Sequence, residues 1–289
     1  MHYEGNIFRP PSEANSILLQ VTTGCSHNKC SFCSMYAQSR FSIKDDSIVK
    51  ADIDFAADHC RRQRRLFLCD GDALILPQPR LVAILEQIRE KLPWVERVGA
   101  YANPKNIKAK SVEELEQLHD LGLGIVYLGL ESGDDETLKQ IDKGADAAVM
   151  VEMGRKVRSA SIKLSITVIL GIAQQQRSRI HAIETGRVLS LIDPEYVGAL
   201  SLMLTPGSRL YQQYEQGSFH LLSPRQMLEE LRTMLYHTEL SDGYFHANHA
   251  SNYLPIKARL PGDKAATIKL IDKALRGNVP LKPEYMRGL

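Results

Sequence analysis

Six runs of the chain are apolar or alternate apolar with polar positions, near residues 16–22, 65–70, 96–102, 124–130, 163–170 and 196–204, and each reads as a strand. Between them fall amphipathic stretches at 78–92, 111–121, 147–159 and 178–191 with apolar residues at helical spacing. Ser111 with Glu114 three positions on makes a capping box, Gly122 fits the end of the same helix, and Pro79 suits the first turn of another. The alternation therefore predicts six βα units with parallel strands, since parallel neighbours need crossover helices.

The two faces of each strand differ. Along 163–170 one face reads Leu164, Ile166, Val168 and Leu170, the other Lys163, Ser165, Thr167 and Ile169. The same split sets Ile17, Leu19 and Val21 opposite Leu18, Gln20 and Thr22, and Leu200, Leu202 and Leu204 opposite Ala199, Ser201 and Met203. Reading the small and polar members as inner, these faces line a cavity better than they fill the interior of a closed eight-stranded barrel. The expected fold class is α/β, a partial (β/α)6 TIM-like barrel that encloses its ligand. Thr205-Pro206-Gly207-Ser208 breaks the last strand, and a further helix is expected near 224–238. The expected organisation is an extension over 1–15, the barrel over 16–205, and a carboxyl-terminal segment over 206–289 that covers the barrel mouth.

Composition narrows the class. With 289 residues, 44% hydrophobic, 24% charged and 13 prolines, the chain can bury a substantial core, which excludes disorder, collagen and a disulfide scaffold. Thirty-six basic against 34 acidic side chains leave a net charge of +2, so composition gives nucleic acid no support while leaving it open. The run Arg61-Arg62-Gln63-Arg64-Arg65 reads more simply as a solvated helix end than as a nucleic-acid patch, though a tRNA substrate would use it. The amino terminus is polar with tandem prolines, and no apolar run reaches spanning length, so a cytoplasmic protein without membrane contact is expected.

The five cysteines carry the chemistry. Cys25, Cys30 and Cys33 crowd into a C-x4-C-x2-C run directly after the first strand, while Cys60 and Cys69 stand apart. An odd, clustered set is no disulfide framework and points to a metal. Three thiolates in so short a loop can surround an iron–sulfur cube and leave one iron for a non-protein ligand. The alternative is zinc held by Cys25, Cys30, Cys33 and His27, a Cys3His site in a nucleic-acid or protein binding module, although His27 so close to Cys25 makes a cramped ring. Cys69 reads as a buried core thiol. On the fourth strand Tyr127, Gly129 and Glu131 share a face, and an inward carboxylate must find a partner, either a ligand or an interior lysine such as Lys163. The segment 244–255 concentrates His246, Asn248, His249, Asn252 and Tyr253, which with Tyr101 are candidate substrate contacts.

A three-cysteine loop after the first strand of a six-unit βα chain resembles the radical S-adenosylmethionine (radical SAM) superfamily, and more narrowly its coproporphyrinogen-dehydrogenase and Elongator-type branch, over roughly residues 15–205. The resemblance implies a [4Fe-4S] cluster on Cys25, Cys30 and Cys33 as catalytic and metal-binding residues. It also implies S-adenosylmethionine on the fourth iron, and one-electron cleavage to methionine and a 5′-deoxyadenosyl radical that takes hydrogen from a substrate. A reductant such as flavodoxin or ferredoxin, and sensitivity to oxygen, come with it. The usual loop is C-x3-C-x2-C; this one is a residue longer. By the same resemblance Phe32 packs near the adenine, and Cys69-Asp70-Gly71-Asp72-Ala73 receives the methionyl ammonium group. Paired glycines and a glutamate are usual there; here Gly71 lies between Asp70 and Asp72, and either carboxylate can act. Glu131 and Ser132, in Gly129-Leu130-Glu131-Ser132-Gly133, match a signature that meets cofactor hydroxyl or amino groups, and Ile169 matches an adenine-contacting position. Too few cysteines remain for a second cluster and no cobalamin-binding segment is evident, so the expected reaction stops at hydrogen abstraction from an unnamed substrate.

Overall fold

The computed structural model describes residues Met1–Gly288. Its strands are β1 (Ile17–Gln20), β2 (Thr22–Thr23), β3 (Ser42–Ile43), β4 (Arg65–Cys69), β5 (Arg97–Ala102), β6 (Leu123–Glu131), β7 (Lys163–Leu170), β8 (Tyr196–Ser201), β9 (Gly243–His246) and β10 (Lys257–Leu260). Its helices are α1 (Asp46–His59), α2 (Gln78–Lys91), α3 (Pro104–Lys108), α4 (Val112–Asp120), α5 (Asp135–Gln140), α6 (Ala147–Ser159), α7 (Gln174–Ile192), α8 (Arg209–Glu215), α9 (Pro224–Tyr236) and α10 (Lys264–Leu275). Eight strands form one sheet in the order β1-β4-β5-β6-β7-β8-β9-β10, and all six expected strands are among them. The fold is the α/β class that the alternation predicts.

By contact the chain divides into two units. The first comprises Met1–Asn28, Met35–Leu128 and Lys156–Leu164. Here β1, β4, β5 and β6 pair in parallel, with Gln20 opposite Cys69 and Tyr101 opposite Tyr127. The helices bury the stripes their periodicity demands: Val49, Ile53 and Ala56 on α1, and Leu81, Ile84, Leu85 and Ile88 on α2. The Ser111 capping box is present in full, with both reciprocal hydrogen bonds formed. On the other sheet face Phe67 packs edge-on against Tyr101 and Tyr127, with centroids 5.1 and 5.8 Å apart. This part of the sheet is therefore filled by rings and not by the small side chains that the pattern of β1 implied. Glu13 is fully buried below them, neutralised by Arg97 and hydrogen-bonded by Tyr127 at 2.5 Å and by Ser16.

The second unit comprises Lys29–Ser34, Gly129–Arg155 and everything from Ser165 onward. There β7, β8 and β9 pair in parallel and β10 returns antiparallel. Thr167 lies opposite Gly198 and Ile169 opposite Leu200, so Leu200 shares a face with the polar side of β7. Ala199 and Ser201 sit with Val168 and Leu170 on the buried face. The faces of the last strand are thus the reverse of the sequence reading, because residue size was taken as the guide where register decides.

β9 and β10 were not foreseen. Each has four residues, too short for alternation to stand out, and they extend the sheet past β8, which would otherwise present an unpaired edge. Among the described residues no helix is long and apolar enough to cross a membrane.

Candidate active site

The first unit holds Cys25 and the aspartate turn. Val21 donates to the Cys69 carbonyl at 2.7 Å, and β2 then pairs with β3, so the chain reaches Gly24 and half-exposed Cys25 beside the end of β4. Immediately beyond β4, Asp70 accepts from Gln20 at 2.8 Å and from the Tyr36 hydroxyl at 3.3 Å, one bond to each oxygen. Burial pushes its carboxyl upward, against the pull of these bonds and of Lys44. The Tyr36 hydroxyl is likewise pushed far up, by burial first and then by the Asp70 charge.

Gly71 donates to the Gly24 carbonyl at 3.2 Å. A Cβ placed on it would lie 2.9 Å from the Tyr36 ring and 3.1 Å from the Cys25 Cβ, so only glycine lets the turn approach the cysteine this closely. Asp72 is wholly buried. Its Oδ2 accepts from Ser26 at 2.5 Å and from Asn106, while Oδ1 has no protein partner. Burial raises this carboxyl to about 6, opposed by the Ser26 and Asn106 bonds, by the Asn103 backbone and by the Lys110 charge. Asp70 is fully engaged; Asp72 keeps one oxygen for something else. Tyr101 stands on β5, its ring committed to Phe67 and Tyr127.

The second unit holds Cys30, Phe32 and Cys33, all half-exposed. Ser31 anchors them: its N–H donates to the Ile141 carbonyl at 2.9 Å and its own carbonyl accepts from Leu210 at 2.8 Å. Glu131 ends β6 in the left-handed region, φ 64°, and pairs with Lys143 at 3.0 Å. Lys143, not the exposed Lys163, is thus the lysine that answers this carboxylate. A Cβ on Gly129 would lie 1.9 Å from the Glu131 carboxylate, which explains that glycine. Ser132 is buried and spends its hydroxyl on His181 Nδ1 at 2.8 Å and the Asp134 amide at 3.0 Å, so it braces the turn. Ile169 lies near the end of β7, where Gly171 donates to Glu230 at 2.6 Å.

His181 and Glu230 are a fully buried pair 3.5 Å apart that the sequence reading missed. The signal was available, since Glu230 falls on the apolar stripe of α9 among Met227, Leu231 and Met234. Burial lifts Glu230 to about 7, against the Ser178 and Gly171 bonds, and lowers His181 to about 4. The raised Glu230 value means that its protonated form favours the fold, a contribution complete below about pH 4.5 and lost as pH rises through about 7. His181 acts oppositely, its contribution present above about pH 6.5 and lost on descent toward 4. Above pH 6.5 only Glu230 of the two still titrates. Urea unfolding should show the protein losing about 1 kcal/mol between pH 6.5 and 8, and Glu230→Gln should flatten that slope; an unchanged slope in the variant would assign it elsewhere.

The candidates in 244–255 divide. Asn252 is buried, accepting from Ser201 at 2.9 Å and donating to the Ala199 carbonyl at 2.8 Å. Tyr253 is buried too, its hydroxyl donating to Glu284 at 2.6 Å and accepting from Arg287 at 2.5 Å, with the guanidinium 4.1 Å from the ring centre. Burial and Glu284 push that hydroxyl up to about 12. His246 and His249 are half-buried and Asn248 is exposed, so these three keep surface available to a ligand. Burial lowers both imidazoles, helped by Lys257 at His246 and by Lys282 at His249.

Among the described residues no three His, Cys, Asp or Glu side chains stand together as a single metal ion requires. A cube differs, because each thiolate binds its own iron. A family model of the radical SAM superfamily matches residues 19–184. The chain belongs to that superfamily. Members of this radical SAM family use a [4Fe-4S] cluster and S-adenosylmethionine.

An uncharacterised protein of Methanocaldococcus jannaschii, MJ0486, is 22% identical over 76% of this chain and 71% of its own. The heme chaperone HemW of Bacillus subtilis is 25% identical over 57% of this chain and 44% of its own. Among solved structures, coproporphyrinogen III oxidase (HemN) of Escherichia coli superposes with a TM-score of 0.54 at 14% identity, over 76% of this chain and 51% of its own. Elp3 of Methanocaldococcus infernus does so at 0.51 and 13%, over 92% and 64%. These neighbours share the fold, and they include the branch that the sequence resembles. The chain spans about half to two thirds of the length of these solved neighbours.

Proposed function

We propose that this radical SAM protein is an enzyme that binds a [4Fe-4S] cluster through Cys25, Cys30 and Cys33, binds S-adenosylmethionine beside it, and abstracts hydrogen from a substrate. When bound, the two groups supply one-electron cleavage of the sulfonium and a 5′-deoxyadenosyl radical. The observation that carries the reading is the Asp72 carboxylate: buried, hydrogen-bonded on one oxygen, unpartnered on the other, and one residue from a glycine packed against Cys25.

The residues present fit the pair. Three half-exposed thiols within nine positions are the right donors for iron, since the thiolate is the ligand. The orphan Asp72 oxygen suits an ammonium donor, and the bare Gly71 gives the methionyl end its approach. Asp70 acts differently: tied to Gln20 and Tyr36, it shapes the turn and does not receive the ligand. Glu131, oriented by Lys143, offers acceptors for ribose or amino groups, Phe32 and Ile169 the apolar walls for adenine, and Ser132 holds the turn between them. His246, Asn248 and His249 are the substrate candidates that keep exposed surface, and small-molecule and macromolecular substrates both fit them. Flavodoxin or ferredoxin is the reductant class, and a cytoplasmic setting suits an oxygen-sensitive centre.

The test is anaerobic reconstitution with iron and sulfide, addition of dithionite and S-adenosylmethionine, and detection of 5′-deoxyadenosine and methionine. Both products in equal amounts support the reading; a reconstituted cluster that yields neither overturns it. His249→Ala should retain this uncoupled cleavage and impair turnover once a substrate is found, whereas equal loss of both would remove His249 from substrate contact.

A further inference from the structure

The arginine run read at first as a solvated helix end proves to line a cavity. About 530 Å³ in volume, it is bounded by Ala14, Asn15 and Ser16 ahead of β1 and by Arg62, Gln63, Arg64 and Arg65 at the start of β4, all within the first unit. Cys25 and Asp72 follow the carboxyl ends of the same strands, so the cavity belongs to the other end of the sheet. The cavity is an open depression at the surface, not an enclosed pocket, and its volume lies within the range of small-molecule sites.

Its lining includes three arginines and no acidic residue. Neighbouring arginines already have work: Arg61 lies over the Trp94 ring at 5.5 Å, and Arg97 is paired with Glu13. Arg64 makes one long bond, 3.5 Å, to the Trp94 carbonyl. Arg62 and Arg65 have no acidic partner among the described residues, and Glu13, the buried acid close by in sequence, is saturated by Arg97, Tyr127 and Ser16. The helix dipole at the end of α1 accounts for one or two cations near His59 but not for Arg65, which is already in the sheet opposite Arg97. One further atom bears on the ligand. Gln63 Oε1 is buried in this lining without a partner, an acceptor that needs a donor.

We infer that this cavity is a binding site for a phosphate ester carrying hydroxyl groups, with Arg62, Arg64 and Arg65 holding the phosphate and Gln63 accepting from a hydroxyl. The guanidinium fork matches phosphate in bidentate fashion, which makes arginine rather than lysine the expected residue here. Free nucleotides and RNA both supply this chemistry. The site is independent of the cluster chemistry.

The experiment is isothermal titration of the full chain at low salt with ADP and, separately, with a short single-stranded RNA. The same titrations are run on Arg62→Gln/Arg65→Gln and on a charge-matched control, Lys269→Gln/Lys273→Gln, both checked by circular dichroism. Saturable one-to-one ADP binding that weakens about tenfold or more in the arginine variant and is unchanged in the lysine control establishes the site and a free nucleotide as its source. RNA binding lost in the arginine variant alone, and not displaced by ADP, establishes it with RNA as the source. Binding of neither probe at millimolar concentration, or equal binding by all three proteins, overturns the inference.

Discussion

Alanine at Cys25, Cys30 or Cys33, introduced singly, should strip reconstituted protein of its iron and sulfide and bring 5′-deoxyadenosine formation down to the level seen without protein. In a cluster held by Cys25, Cys30 and Cys33 each thiolate would be the only protein anchor of one iron, so losing one would leave too few ligands to retain it. The other two cysteines make the control. Cys69 is fully buried, and burial followed by the Asp70 charge pushes its thiol upward, which disfavours the thiolate that iron needs. Burial also raises Cys60. Cys60→Ala should therefore keep its iron, its visible absorption and its cleavage. Iron and sulfide analysis alongside product assay decides the matter. Full iron in Cys30→Ala, or loss of iron in Cys60→Ala, would mean that the ligand set is wrong even if a cluster is present.

The strands and helices that position these loops were legible because their signals are local. Six strands fell close to where alternation put them, and the Ser111 cap could be read from two residues three apart. What escaped depends on partners remote in sequence. Glu131 is met by Lys143 because the chain turns back after β6, and no periodicity in β7 could have preferred that lysine to Lys163. The inversion of Ala199 and Leu200 has the same origin: pairing with β7 decides the face, and size alone misleads. Asn252 and Tyr253 looked like ligand contacts because their segment is rich in polar and aromatic groups, yet β8, Glu284 and Arg287 use those groups within the protein. Density of functional side chains marks a region; only the hydrogen-bond partners tell which atoms remain for a ligand.

Those partners separate the two aspartates, and the separation has a measurable consequence. Asp72→Asn should weaken S-adenosylmethionine binding by about tenfold to a hundredfold, the worth of a charge-assisted hydrogen bond, and lower cleavage at subsaturating cofactor to match. The substitution keeps an oxygen and the size of the side chain but removes the charge that an ammonium group would meet. The pH dependence supplies a second readout. Asp72 is raised to about 6 by burial, and it pairs with a cation only when ionised. Affinity in the native protein should therefore hold above about pH 6 and fall as the pH drops through that value, while Asp72→Asn should bind weakly at every pH without the drop. Asp70→Asn makes the contrast. Its oxygens are already bound by Gln20 and Tyr36, so its variant should lose thermal stability and keep the pH profile of binding. If Asp70→Asn abolishes the profile and Asp72→Asn leaves it intact, the roles are exchanged, and the unpartnered oxygen on Asp72 serves something other than the cofactor.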